Sequence, residues 1–276
     1  MKVSSREILK NAQENNYAVP AVNFIDGLTA KAYLEVSEEY DVPLILAFAQ
    51  AHEEWLSLED AAFIGKYIQQ SASSPIVLHL DHGQNIDYIK KAIDLGFNSV
   101  MIDASTETFE NNVKITKEVV DYSHKYGVDV EAEIGFVGAN DNLENHKVVK
   151  SIYTDVEDAV EFVKKTNVDS LAISIGTAHG IYKGIPKINF QRLSEIRKKI
   201  DLPLVLHGGS STGYDNLNKC VLGGITKINL FSDMINAGFD ANKKTNVNDY
   251  PSLIFNIKDN IKKKLIEYYK VFRLIE

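Results

Sequence analysis

Three of the seven histidines, His82, His179 and His207, each stand at the end of a short apolar run: PIVLHLDHG, DSLAISIGTAHG and LPLVLHGG. Three imidazoles that leave one coordination position open suit a catalytic Zn2+, whereas a structural zinc normally has four protein ligands. Three carboxylates occupy equivalent places: Asp81 in HLDHG, Asp103 in VMIDAS and Glu133 in VEAEIG. A carboxylate beside a metal stays ionised and is suited to moving a proton. Glu131 lies two residues before Glu133, so a regular strand puts both on one face, and spacing alone does not say which reaches the metal. His79 precedes Asp81 by one pleat and reads as a packed or supporting residue, while His52, His124 and His146 read as surface residues.

Groups so far apart in the chain act together only if the fold gathers the ends of their runs. Eight such runs recur: YAVPAVNF, VPLILAF, SPIVLHL, FNSVMI, VDVEAEI, DSLAISI, LPLVLHG and ITKINLF. Between most of them lie segments with helical spacing and a polar face, such as NIDYIKKAIDLG and VEDAVEFVKKT. Strands alternating with amphipathic helices imply parallel βαβ units, and runs with little polar alternation fit strands covered on both faces. Eight units in 276 residues point to a closed (β/α)8 barrel read as one domain, 1–276, with an open doubly wound sheet as the runner-up. In such a barrel the strand C-terminal ends form the active rim, which is where these polar residues fall.

Ser4 and Glu7 read as a capping box opening a short N-terminal helix, and Ile254, Ile257, Ile261, Leu265, Tyr268 and Phe272 form the stripe of a C-terminal helical extension. That stripe fits packing on its own barrel or on another subunit. The stretch ANKKTNVNDYP before it reads as an exposed loop.

A net charge of −8 with no dense Lys/Arg tract leaves no basic footprint for nucleic acid. A single cysteine, Cys220, permits no intrachain disulfide and fits a reducing compartment; it sits in a helical pattern as a packing residue. No segment approaches the ~18 apolar residues that span a bilayer, and the expected location is the cytoplasm. Two further stretches, HGGSSTG (His207 to Gly213) and NLFS (Asn229 to Ser232), follow the seventh and eighth runs. Glycines let backbone amides approach an anion, and barrel phosphate sites typically use these last two loops.

Taken in order, YAVPAVN, HLDHG, GFNSVMIDAS, VEAEIG, IGTAHGIYKGIPKINF, PLVLHGGSS and GITKINL resemble the metal-dependent class II ketose-bisphosphate aldolases, including the fructose- and tagatose-bisphosphate aldolases. The resemblance implies one catalytic Zn2+ on His82, His179 and His207, with Asp103 and Glu133 forming an alternative metal position. It makes Asp81 the acid/base on the C4 hydroxyl of the sugar. Gly180, Gly208, Gly209, Ser210 and Ser232 would surround the phosphate of the dihydroxyacetone phosphate half, with Asn23 and Asn229 near its ketone end. Some members of the family also bind a monovalent cation beside that phosphate. The implied reaction is reversible cleavage of a ketose 1,6-bisphosphate to dihydroxyacetone phosphate and glyceraldehyde 3-phosphate, in a homodimer or homotetramer with no nucleic-acid or membrane partner. Another phosphorylated ketose, or a deoxy-sugar acid phosphate, is the alternative substrate.

The chain departs from the family pattern at three places. Ala49 stands where members often carry serine or threonine, and Phe231 replaces a small or acidic residue between Asn229 and Ser232. The loop GFVGANDNLENHK places Asp141 where a glutamate handles the second proton, with Glu144 as the other candidate. Two other readings compete. A metal hydrolase on the same barrel is disfavoured because AVPAVNF lacks a His-x-His pair, and a barrel retained for binding or assembly would follow if the three changes had weakened the chemistry. Lys227, in the eighth run, keeps a Schiff-base lysine open by inspection.

Overall fold

A computed structural model of the protein describes residues 1–135, 153–178, 186–244 and 249–276. Helix α1 (Ser5–Asn15) is followed by β1 (Val19–Asn23), α2 (Gly27–Tyr40), β2 (Leu44–Ala49), α3 (Leu58–Ser71), β3 (Ile76–Gly83) and α4 (Ile86–Leu95). The chain continues through β4 (Ser99–Ile102), α5 (Phe109–Ser123), β5 (Asp129–Ile134), α6 (Val156–Thr166), β6 (Ser170–Ile173), α7 (Phe190–Lys199) and β7 (Leu204–Leu206). It ends with α8 (Tyr214–Leu222), β8 (Ile225–Leu230), α9 (Ser232–Lys244) and α10 (Tyr250–Val271). All eight strands are parallel, each pairs with its successor, and β8 returns to β1, so the sheet closes into a (β/α)8 barrel.

Local chemistry sets the helix ends. Side chains of Ser57, Asn85, Thr108, Asp155, Asn189 and Asp249 accept backbone N–H groups that the first turns cannot satisfy internally. The reciprocal capping box forms at Asp26 and Thr29. At the expected box, Ser4 accepts from the Glu7 amide at 3.4 Å and gives its own proton to Asp129 at 2.6 Å, seating α1 on the barrel. Ile8, Leu9 and Ala12 of α1 then seal the barrel floor against Val19, Ala21, Ile45 and Val77. Truncating Leu9 to alanine in that plug would cost about 2–5 kcal/mol.

The two-residue period of a strand explains how the barrel interior becomes polar toward its rim. On β3 the inward column climbs from Val77 through His79 to Asp81, while Leu78 and Leu80 join the apolar layer under the helices. On β5 the column is Asp129, Glu131, Glu133, and on β8 Lys227 is followed by Asn229. Register places Ala49 beside Asp81, His79 beside Ser99 and Glu131 beside Ser170.

Helix α10 packs on its own chain, against α9, α2 and α8, burying Ile261, Leu265, Tyr268 and Tyr269. Of the expected stripe, Ile254 and Ile257 are only half-buried. The expected loop ANKKTNVNDYP is corrected at both ends: its first four residues complete α9, and Tyr250 and Pro251 begin α10, because Asp249 caps that helix and proline suits a first turn. Cys220 is buried in α8, as its pattern implied. No helix among the described residues is long and apolar enough to cross a membrane.

Candidate active site

The C-terminal ends of β1, β2, β3 and β8 and the segment after β7 surround a cavity of about 400 Å³. Asn23, Ala49, Asp81, His82, Asp103, His207, Gly208, Ser210, Asn229 and Ser232 all line it.

Asp81 is 4% exposed, and its carboxylate accepts from Asn23 Nδ2 at 3.0 Å and from Asn229 Nδ2 at 2.8 Å. The two asparagines therefore hold Asp81 in place, one from β1 and one from the adjoining β8. The Oδ1 of Asn229 is a buried acceptor with no hydrogen-bond partner among the described residues, so a ligand hydroxyl in the cavity can satisfy it. Burial works against ionising Asp81, but the cations around it, His82 foremost, hold its carboxyl well below the usual range.

In a regular strand His82 would point away from Asp81. Its φ of 49° lies in the left-handed region, and the β3–β4 register shifts between Leu80 and Gly83. This irregularity turns two consecutive residues toward one cavity, at a backbone cost of order 1–2 kcal/mol. His82 Nδ1 bonds Asp103 Oδ2 at 2.8 Å, and Ser105 fixes the other oxygen of Asp103 through its hydroxyl at 2.7 Å and its amide at 3.1 Å. Burial pulls the His82 imidazole toward neutrality, but Asp81, the bond to Asp103 and the Glu133 carboxylate outweigh it and push its pKa up to about 9.

The His207 ring lies 4.6 Å from that of His82, edge to face. Its Nε2 meets Glu131 Oε1 at 2.9 Å, and Glu131 forms a buried ion pair with Lys227. The structure gives Glu131 and Glu133 different neighbours. Glu131 supports His207 from beneath, whereas Glu133 groups with His82 and Asp103. Lys227 is spent on Glu131, is 1% exposed and is absent from the cavity lining, which leaves a Schiff-base role without support among the described residues. Burial, with Lys227 second, pushes the His79 imidazole down to about 3, and this ring joins the same buried network.

Two overlapping sets of donors could hold a metal: Asp81, His82 and His207, and His82, Asp103 and Glu133, with the ligand atoms of each set within 4.8 Å of one another. Imidazole nitrogens with carboxylate oxygens are a donor set that suits Zn2+. His179 and Gly180, and the proton-transfer candidates Asp141 and Glu144, lie outside the described residues, as does His146.

The glycine loop sits where the spacing implied. Gly208 has a φ of 68°, and a Cβ there would stand 2.4 Å from the Ala178 carbonyl oxygen. Gly209 donates to the Asn229 carbonyl at 3.1 Å, and a Cβ at that position would meet the same oxygen at 2.7 Å. Only glycine permits this close approach of β7's extension to β8. Ser210 Oγ accepts from the amides of Phe231 and Asp233 at the start of α9, and Asp233 takes the amide and hydroxyl of Ser211, both at 2.9 Å.

His52 corrects its expected surface role. The turn Gln50–His52 after β2 folds it back to line the cavity, where its ring lies 4.3 Å from that of Phe231 and 5.1 Å from that of Trp55. His124 is half-buried at the opposite end of the barrel, bonded to Asp169.

The fold and the rim define a barrel enzyme with a buried carboxylate beside imidazole donors and a loop that only glycine can build. The family model for fructose-bisphosphate aldolase class-II matches residues 3–275, and the chain belongs to that family: it is a class II aldolase, a carbon–carbon lyase. It is similar to the YdjI aldolase from Escherichia coli K12, at 32% identity over 99% of this chain and 97% of that one, with a TM-score of 0.89. A fructose-bisphosphate aldolase from Campylobacter jejuni matches 99% of this chain and 96% of its own at 20% identity and a TM-score of 0.81, a likeness of fold.

Proposed function

We propose that this aldolase cleaves a phosphorylated ketose reversibly into dihydroxyacetone phosphate and an aldehyde, using a zinc ion at the rim. The observation that carries the reading is the juxtaposition of Asp81, His82 and His207, with ligand atoms within 4.8 Å, beside the loop of Gly208 and Ser210 in one cavity. His82 and His207 would hold the ion with His179, and Asp103 and Glu133 would offer its second position. A Lewis acid there polarises the substrate carbonyl and hydroxyl oxygens and stabilises the charge that develops on them.

In the cleavage direction Asp81 takes the proton of the hydroxyl on the carbon that becomes the aldehyde. The carbon–carbon bond breaks, its electron pair passes to the dihydroxyacetone phosphate half as an enediolate, and a second acid, Asp141, returns a proton to carbon. Asn23 and Asn229 keep the Asp81 carboxylate aimed through the bonds already described. Gly208, Gly209, Ser210 and Ser232, with Gly180, would receive the phosphate beside the start of α9, where backbone N–H groups favour an anion.

Fructose and tagatose 1,6-bisphosphate are the substrates the family reading puts first. The rings of His52 and Phe231 and the methyl of Ala49 give this cavity's lining an apolar part, which favours including ketose 1-phosphates with other distal ends. A coupled assay across such a panel, after chelation and again with zinc restored, tests the proposal. Turnover of at least one member should vanish with chelator and return with zinc. Chelator-resistant turnover trapped by borohydride would overturn it.

A further inference from the structure

Beneath the candidate metal position lies a closed polar network that the reaction itself does not use. Lys227 Nζ reaches Glu131 Oε1 at 2.9 Å, Glu131 Oε2 at 2.8 Å and His79 Nε2 at 3.3 Å. His79 Nδ1 meets Ser99 Oγ at 2.8 Å, and Ser170 Oγ approaches Glu131 Oε2 at 3.3 Å. Lys227, Glu131, His79 and His207 are each no more than 2% exposed.

The donor inventory gives this network a direction. An ammonium has three protons and accepts nothing, and the three short contacts of Lys227 use all of them. His79 Nε2 must then accept, which leaves its Nδ1 to donate to Ser99. Both oxygens of Glu131 accept from Lys227 as a carboxylate, so the contact with His207 Nε2 can form only if His207 supplies the proton. A neutral imidazole with its proton on Nε2 carries its lone pair on Nδ1, the nitrogen across the ring from Glu131.

We infer that Lys227, acting through Glu131, is a positioning residue that sets the tautomer of His207 and so prepares Nδ1 as a metal-binding atom. The carboxylate partner of a metal-binding histidine commonly orients the ring in this way, and losing such a partner typically weakens metal binding by 10–100-fold. The additional feature here is the buried lysine, which commits both oxygens of that carboxylate to accepting. His79 and Ser99 complete the set by anchoring the lysine from its other side. The inference rests on the zinc reading of the site.

The direct test is a long-range proton–nitrogen spectrum of metal-free, 15N-histidine-labelled protein. His207 should show the Nε2–H tautomer, and an Nδ1–H form in the wild type would overturn the inference. A second measurement compares zinc affinity, by competition with a chromophoric chelator, between wild type and the charge-neutral pair Lys227→Met with Glu131→Gln. Affinity should fall about ten- to hundredfold, with the far-ultraviolet circular dichroism of the barrel unchanged; wild-type affinity in a folded variant would overturn it. Should that pair fail to fold, Lys227→Met alone frees Glu131 from its ion pair; a loss of the pure Nε2–H form of His207 or a fall in zinc affinity supports the inference, and an unchanged tautomer with unchanged affinity in the folded variant overturns it. A wild-type protein that takes up no zinc would overturn the metal reading, whereas the tautomer spectrum bears on this inference alone.

Discussion

At the N-terminal end of the barrel Asp129 accepts from Ser4 Oγ, Ser5 Oγ and the Arg6 amide, and Asp169 accepts from the Val130 amide, meets His124 Nε2 at 2.8 Å and pairs with Arg6. At the C-terminal end Asp81 accepts from two asparagine amides and faces a cavity, and Asp103 aligns His82 on the edge of the same cavity. Both ends thus bury aspartates next to histidines. At the floor the chain itself consumes the hydrogen-bonding capacity, which fastens α1 and α5 to the barrel. At the rim that capacity points into space a substrate can occupy. A buried carboxylate is therefore not a mark of chemistry; where its unspent capacity points is.

Substitutions at the two ends should separate accordingly. The largest effect is expected for Asp81→Asn, which keeps the shape and removes the carboxylate proposed as proton acceptor: kcat for aldol cleavage should fall about a thousandfold, with zinc uptake retained and the melting temperature no lower. A variant that lost stability in step with activity would place Asp81 with the floor carboxylates. Next in size, Asp169→Ala should destabilise the protein by about 3 kcal/mol in urea unfolding, because Arg6, His124 and the Val130 amide all lose an acceptor. Its kcat should stay within about twofold of wild type at a temperature where the variant is folded.

The smallest effect sharpens the contrast between enclosed and exposed charge. Glu35 on α2 meets Lys258 at 2.9 Å and Lys262 at 3.2 Å on α10, with side chains about a quarter exposed. Burial opposes ionisation of Glu35, but the two lysines outweigh it and hold its pKa below the ordinary value of 4.5. A depressed carboxylate stabilises the fold above its unfolded pKa and loses that contribution as pH falls through the folded value. Glu35→Gln should therefore cost less than about 1 kcal/mol near neutral pH, less still in 1 M salt, and nothing in acid below the folded pKa. A larger cost at neutral pH would show that solvent screens this pair less than its exposure implies.

Much of the site was readable because strand periodicity and strand-end position are local properties. The apolar runs marked all eight strands, and the residues just past them, Asp81, His82, Asp103, His207 and Asn229, do line one cavity. His52 was misread because a turn after β2 folds its ring back over Phe231, a contact between loops 179 residues apart in the chain. Lys227 stays open as a Schiff-base candidate in the sequence, since its partner Glu131 lies 96 residues away and across the barrel interior. The polar inward columns His79–Asp81, Glu131–Glu133 and Lys227–Asn229 were the signal that could have joined them.

The order of strands and helices, the polar rim and the glycines after the seventh strand were determined by the sequence alone, because periodicity and backbone permissiveness are properties of neighbouring residues. The tertiary structure decided which polar group meets which. It matched Asn23 and Asn229 to Asp81, turned His82 inward through a left-handed residue at a register shift, and set Lys227 against Glu131 beneath His207. The pairings made from β8, Asn229 with Asp81 and Lys227 with Glu131, depend on closing β8 onto β1, a step with no local signature, since it brings together residues that only a finished barrel makes neighbours.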